Sequence, residues 1–130
     1  MKNILIAEDN AVNRELLREL LEGRGYTVDE ACHGQEALEK IAESRPDVLL
    51  LDLSMPVMDG FTTIKNIRAN AETASLPVLA VTAFAMRGDQ EKTMEAGFDG
   101  YLSKPISPSA LDAELKKIQD KFGNAAAAHS

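Results

Sequence analysis

The sequence predicts an α/β domain built on a parallel sheet covered on both faces, and three observations carry that expectation. Short apolar runs of strand length alternate five times with amphipathic stretches of helix length. The run Val48-Leu49-Leu50-Leu51 shows no polar alternation, the pattern of a strand buried on both sides. Glycine and proline fall between these runs rather than inside them: Gly23, Gly25 and Gly97 follow helical stretches, and Pro46, Pro77 and Pro108 stand at the start of new ones.

Residues 3–7 (NILIA) read as the first strand. Residues 11–24 then carry Leu16, Leu17, Leu20 and Leu21 at helical spacing, opposite Arg14, Arg18, Glu19 and Glu22. A second strand is predicted over 26–31 and a second helix over 35–44, with Ala37, Leu38 and Ile41 on one face. After the strand at 48–51, helices are expected over 60–69, 87–95 and 108–122, and strands over 77–82 and 101–102. Ser107 is a suitable N-cap for the last helix, with Pro108 at its first position. Right-handed crossovers and this length favour the flavodoxin-like doubly wound order 2-1-3-4-5. A single domain is expected over residues 1–122, with 123–130 as a disordered or appended tail.

The 130 residues, 45% of them hydrophobic, suffice for one core without disulfides. A formal charge of −7 argues against a nucleic-acid partner, which requires a basic surface. No apolar run approaches the length needed to span a membrane, and Met-Lys-Asn leads directly into a strand pattern rather than a signal peptide. Cys32 is the only cysteine, so no internal disulfide can form. A reducing, cytoplasmic setting is the expectation, with Cys32 read as a small core residue.

In such sheets ligands bind beyond the carboxyl ends of the strands. Strand one is followed by Glu8-Asp9, strand three by Asp52, strand four by Thr82 and strand five by Ser103-Lys104-Pro105. Three carboxylates, a hydroxyl and an amine therefore converge on one edge. Two carboxylates about 4 Å apart repel by about 4 kcal/mol at an effective dielectric near 20, so the cluster demands a proton or a cation. A hard divalent ion such as Mg²⁺ suits oxygen ligands of this kind. Lys104 supplies a compact positive charge and Thr82 a hydrogen-bond donor, and together these are the parts of a phosphoryl-transfer site with a carboxylate nucleophile. Taken singly, the residues read otherwise: Asp9 or Asn10 as a helix cap, Thr82 as a β-branched strand residue, Lys104 as a solvated cation, Tyr101 as edge-strand core. Their joint appearance at successive strand ends reverses that reading.

The runs Ile4-Leu-Ile-Ala-Glu8-Asp9-Asn10, Leu51-Asp52-Leu-Ser-Met-Pro56-Val-Met-Asp59-Gly60, Val81-Thr82-Ala83 and Tyr101-Leu-Ser-Lys104-Pro105 together resemble the response-regulator receiver family of two-component signalling, over about residues 2 to 122. The stretch 82–89 is most similar to single-domain regulators of the DivK type and to receivers of hybrid kinases. The resemblance implies that Asp52 is phosphorylated by a sensor histidine kinase or histidine phosphotransfer protein. It implies Mg²⁺ held by Glu8, Asp9, Asp52 and the backbone carbonyl of Ser54, and Thr82 and Lys104 on the phosphoryl group. It further implies a cis peptide before Pro105, and Tyr101 turning inward as Thr82 moves. The output would be a changed interaction with a downstream protein target, by a phosphoacceptor that assists its own phosphorylation rather than an enzyme with a separate substrate. Glu8 stands where many members have aspartate, which lengthens its reach. Ser54 and Phe84, two residues after Asp52 and Thr82, influence water access, and an apolar Phe84 implies slow self-hydrolysis. Arg14, on the first helix beside the site, is expected to be an exposed docking residue for the kinase.

Three other readings fit parts of this pattern. A haloacid-dehalogenase-type phosphohydrolase would have a second acid two residues after its nucleophile, on the first strand, whereas here Ser54 follows Asp52 on the third. A flavodoxin-like cofactor binder needs a Gly-, Ser- or Thr-rich phosphate loop where Glu8-Asp9-Asn10 stands. A phosphorylation-independent interaction module has no need of an intact acid set.

Overall fold

The structure, a computed structural model, describes residues 3–53, 60–83 and 87–123; for 87–90 and 122–123 only the backbone is described. Strands β1 (Asn3–Ala7), β2 (Thr27–Ala31), β3 (Val48–Asp52), β4 (Val78–Thr82) and β5 (Gly100–Ser103) alternate with helices α1 (Ala11–Glu22), α2 (Gly34–Glu43), α3 (Gly60–Ala69), α4 (Arg87–Glu95) and α5 (Pro108–Ile118). All strand pairs are parallel, in the order β2-β1-β3-β4-β5. The doubly wound fold expected from the sequence is therefore the fold observed.

Every residue of β3 and β4 is buried, because a parallel sheet with helices on both faces leaves its central strands no contact with water. Side chains alternate across a strand, so the core separates into two layers. Ile4, Ile6, Val48, Leu50, Leu79, Val81 and Leu102 pack with Leu17 and Leu21 of α1 and Leu111, Leu115 and Ile118 of α5. On the other face, Leu5, Leu49, Leu51, Val78 and Ala80 pack with Ala37 and Ile41 of α2 and Ile64 and Ile67 of α3.

Helix ends follow local chemistry. Asn10 caps α1 by accepting the N–H of Asn13, and Ser107 caps α5 by accepting that of Ala110, with Pro108 directly after it. Of the two glycines that close α1, Gly23 is right-handed and Gly25 carries the reversal at φ +89; the helix accordingly stops at Glu22, short of Arg24. His33, unforeseen as a cap, opens α2: its Nδ1 accepts the N–H of Glu36, 3.1 Å away. The last helix departs from the expected run to 122, because α5 ends at Ile118 and passes into a π-helical turn over Gln119–Gly123.

Two sequence expectations are corrected. Cys32 is exposed, not core, because it is the first residue beyond β2, where its N–H donates to the Glu36 carboxylate. By their flexibility the methionines Met55, Met58, Met86 and Met94 read in the sequence as fillers of core gaps, yet Met94 stands exposed on α4. Met55, Met58 and Met86 lie outside the described residues.

At the end opposite the strand carboxyl termini, Arg68 of α3 acts as a clamp. Its guanidinium donates to the carbonyls of Ala74, Leu76 and Gly97 and to Asp99, whose carboxylate also accepts the N–H of Val78. Two connections, α3–β4 and α4–β5, are thus tied by one planar donor set.

Gly60 fixes how α3 approaches the sheet. A Cβ at this position would lie 2.7 Å from Leu53 Cα and 2.9 Å from the Asp52 carbonyl oxygen, both backbone atoms that cannot yield cheaply. Gly60→Ala is therefore expected to lower the unfolding free energy by about 2 kcal/mol. Gly23→Ala, where the nearest atom is 3.2 Å away and φ is −62, should be nearly neutral. Urea unfolding of both variants checks this, and equal losses would show that the close approach at Gly60 is not what matters.

Candidate functional site

The parallel register brings the site together before any side chain is considered. Ala7 is paired with Leu51, so one further step along each strand sets Glu8 beside Asp52. On the other flank Thr82 is paired with Ser103, and the N–H of Lys104 donates to the Thr82 carbonyl at 2.7 Å. The alternation then sorts the side chains. Glu8, Asp52 and Lys104 continue the phase of the α1–α5 layer, whereas Thr82 and Tyr101 fall in phase with the α2–α3 layer, against which Tyr101 packs half-buried.

Lys104 Nζ lies 3.0 Å from Asp52 Oδ2 and 3.0 and 3.1 Å from the two oxygens of Glu8. Asp52 and Glu8 are both buried, 2% and 1% exposed, while the lysine side chain keeps 20% of its surface in water. Asp9 is exposed, yet a ligand oxygen from each of Glu8, Asp9 and Asp52 falls within 4.8 Å of the others. One ammonium thus serves two buried carboxylates, with a third, exposed one beside them. The consequence is visible on Glu8: burial first, then hydrogen bonding to Asp52 and repulsion from it, push its carboxyl up to about 7, against the opposing pull of Lys104. Burial alone would lower the Lys104 ammonium, but its hydrogen bonds to Asp52 and Glu8 prevail and hold it above the usual lysine value.

The Lys104–Pro105 peptide bond is cis. Thr82 is 3% exposed at the end of β4. Ser54 and Phe84 lie outside the described residues. Arg14 is the site neighbour that sequence reasoning misassigned. Rather than standing in solvent, its side chain is 18% exposed and folds inward, Nε bonded to Glu30 and Nη1 to the carbonyl of Glu8 at 2.8 Å. Asn13 was missed altogether, although its Nδ2 donates to Glu8 Oε1 at 3.2 Å. Among the exposed residues of α1 are two apolar ones, Val12 at 66% and Leu16 at 55%. Leu16 and Leu20 meet Lys104, Pro105 and Ile106 around a cavity of about 110 Å³ beside the acid cluster.

A buried carboxylate held by an ammonium, flanked by two further acids and open to solvent on one side, can hold a hard cation and can act as an oxygen nucleophile. Comparison with known proteins agrees in family. The sequence matches the family described as "Response regulator receiver domain" over residues 4–116. It is 42% identical to the polar-differentiation response regulator DivK of Brucella anthropi, and likewise to that of Brucella ovis, over 124 residues covering 95% of this chain and 98% of each relative. Among solved structures, the chemotaxis response regulator CheY4 of Vibrio cholerae superposes with a TM-score of 0.84 at 31% identity, over 91% of this chain and 98% of that one. The receiver domain of a Pseudomonas aeruginosa sensor histidine kinase, solved with a magnesium ion coordinated in its active-site cleft, gives 0.82 at 34% identity over 94% and 98%. The chain belongs to the response regulator receiver domain family, the receiving module of two-component signalling.

Proposed function

We propose that Asp52 is the phosphoryl acceptor of this receiver domain and that Mg²⁺ is its cofactor. The observation that carries the reading is the buried Asp52 carboxylate, 3.0 Å from Lys104 Nζ and within 4.8 Å of ligand oxygens on Glu8 and Asp9. The donor set fits a hard divalent cation, since all three ligands are carboxylate oxygens and the local charge is negative in excess. Glu8, Asp9 and Asp52 would hold it, with the carbonyl of Ser54. When bound, Mg²⁺ offsets the charge that gathers on the phosphoryl oxygens.

The chain's own part follows from its side chains. An Asp52 oxygen forms the new P–O bond as the P–N bond of a phosphohistidine on the donor breaks, and the electron pair stays with the imidazole nitrogen, which takes up a proton. Lys104 pairs with the added negative charge, and the Thr82 hydroxyl donates to a phosphoryl oxygen. Recruitment of Thr82 alters the space available to Tyr101 in the α2–α3 layer, shifting the population between two surfaces for a downstream protein. The domain on this reading assists its own phosphorylation and acts on no separate substrate. The donor, a sensor histidine kinase or phosphotransfer protein, meets the apolar face of α1 formed by Val12 and Leu16, rather than Arg14.

Incubation with acetyl phosphate and Mg²⁺ should add one phosphoryl group to the intact mass, and Asp52→Ala should abolish the gain. A folded, Mg²⁺-loaded protein that gains no mass would favour a phosphorylation-independent interaction module.

Glu8 supplies a pH test. Its folded value, about 7, lies above its ordinary 4.5, so the folded state binds the proton more tightly than the unfolded one. The stability this confers is complete below about 4.5 and is lost as pH rises through about 7. Without divalent cation, the melting temperature should therefore fall between pH 5.5 and 8, on the order of 5 °C. Glu8→Gln should flatten that slope, and Mg²⁺ should restore stability at pH 8. An identical slope in wild type and Glu8→Gln would place the titration elsewhere.

A further inference from the structure

We propose that Asn13 and Arg14 are positioning residues that hold Glu8 in its cation-binding geometry. The inference rests on the reading of Glu8 as a cation ligand given above. Glu8 is one methylene longer than aspartate, and that extra torsion must be frozen if its carboxylate is to meet a cation together with Asp9 and Asp52. The structure holds the residue at both ends. At the side chain, Asn13 Nδ2 donates to Oε1 at 3.2 Å, beside the two contacts from Lys104. At the main chain, the Glu8 N–H donates to the Ala31 carbonyl at 3.0 Å, and the Glu8 carbonyl accepts Arg14 Nη1 at 2.8 Å. Arg14 is itself anchored, through Nε, to Glu30 on β2 at 3.2 Å.

The two positioning groups are placed by the helix start. Asn10 accepts the N–H of Asn13 on its side chain at 3.0 Å and that of Arg14 on its carbonyl at 2.9 Å, so the first turn of α1 presents both donors toward Glu8 in fixed register. Lys104 is shared between Glu8 and Asp52. When it follows the negative charge to Asp52, Asn13 still holds Oε1. Outer partners of this kind typically set metal affinity by factors of about 10 to 100. Arg18 provides an internal comparison. It pairs with the same Glu30 carboxylate and with Glu22, but not with Glu8.

The test is titration of the full ¹⁵N-labelled chain with MgCl₂, read by amide chemical shifts, for wild type, Asn13→Ala, Arg14→Gln, Arg14→Lys, Arg18→Gln and Glu8→Gln. Urea unfolding of each protein without Mg²⁺ reports stability separately. Asn13→Ala and Arg14→Gln are each expected to weaken Mg²⁺ binding by about tenfold. Arg14→Lys, which reaches Glu8 or Glu30 but not both, should fall between Arg14→Gln and wild type. Arg18→Gln should bind Mg²⁺ as wild type does even where its stability drops as far as that of Arg14→Gln. The proposal is overturned if Asn13→Ala and the folded Arg14 variants bind like wild type, or if Arg18→Gln loses as much affinity as Arg14→Gln, because the loss would then follow helix stability rather than Glu8. Should Arg14→Gln not fold, Asn13→Ala and Arg14→Lys decide alone. Failure of the underlying site reading looks different: either wild type shows no saturable shifts near the acids, or Glu8→Gln binds unchanged.

Discussion

Placing more carboxylates than cations at the end of a buried sheet is the constraint on which the rest of this molecule depends. Asp52 ends β3 and Glu8 follows β1, strands buried but for Asn3, so neither can retreat into water without disturbing β1 or β3. Lys104 offsets part of the charge and, shared between the two acids, cannot neutralise both. What remains is a standing demand for a proton or a cation. Everything nearby is arranged to keep that demand in place: the cap at Asn10, the inward Arg14, and the glycine at 60 that lets α3 approach the β3 terminus.

The elements that depend on hydrophobic periodicity were legible in the chain. The uninterrupted Val48–Leu51 run announced a central strand, and the residues after each strand marked the edge where Glu8, Asp9, Asp52, Thr82 and Lys104 would gather, because strand ends in a parallel sheet are fixed by topology. What stayed hidden were side-chain choices that pattern does not determine. Arg14 and Arg18 are equivalent by helical spacing, and only the position of Glu30 on β2 and of the Glu8 carbonyl turns Arg14 inward. Cys32 directly follows the buried Ala31 and resembles core, yet the strand stops at Ala31 and leaves it exposed beyond the strand end. His33 reads as a loop residue, since neutral imidazole is an uncommon helix cap. Arg68 lies on an ordinary helix face, and the four groups it binds are brought to it only by the tertiary fold.

Stability in this molecule is distributed between the two ends of the sheet. At the amino-terminal end of the strands Arg68 ties loops by many charge-assisted bonds to backbone carbonyls. At the carboxyl end the charges repel. The first end is held together by bonds between neighbours, whereas the second carries a repulsion that a proton or a cation relieves.

The strict alternation along the strands has a wider consequence. Because Glu8, Asp52 and Lys104 share a layer with α1 and α5 while Thr82 and Tyr101 share one with α2 and α3, the sheet works as a partition whose two sides meet at its carboxyl edge. Substitutions on the α1 face and on the opposite face touch different neighbours, and their effects should combine almost independently. Changes on the α1 face leave the neighbours of Thr82 and Tyr101 untouched, a modularity inherent in the geometry of a doubly wound sheet.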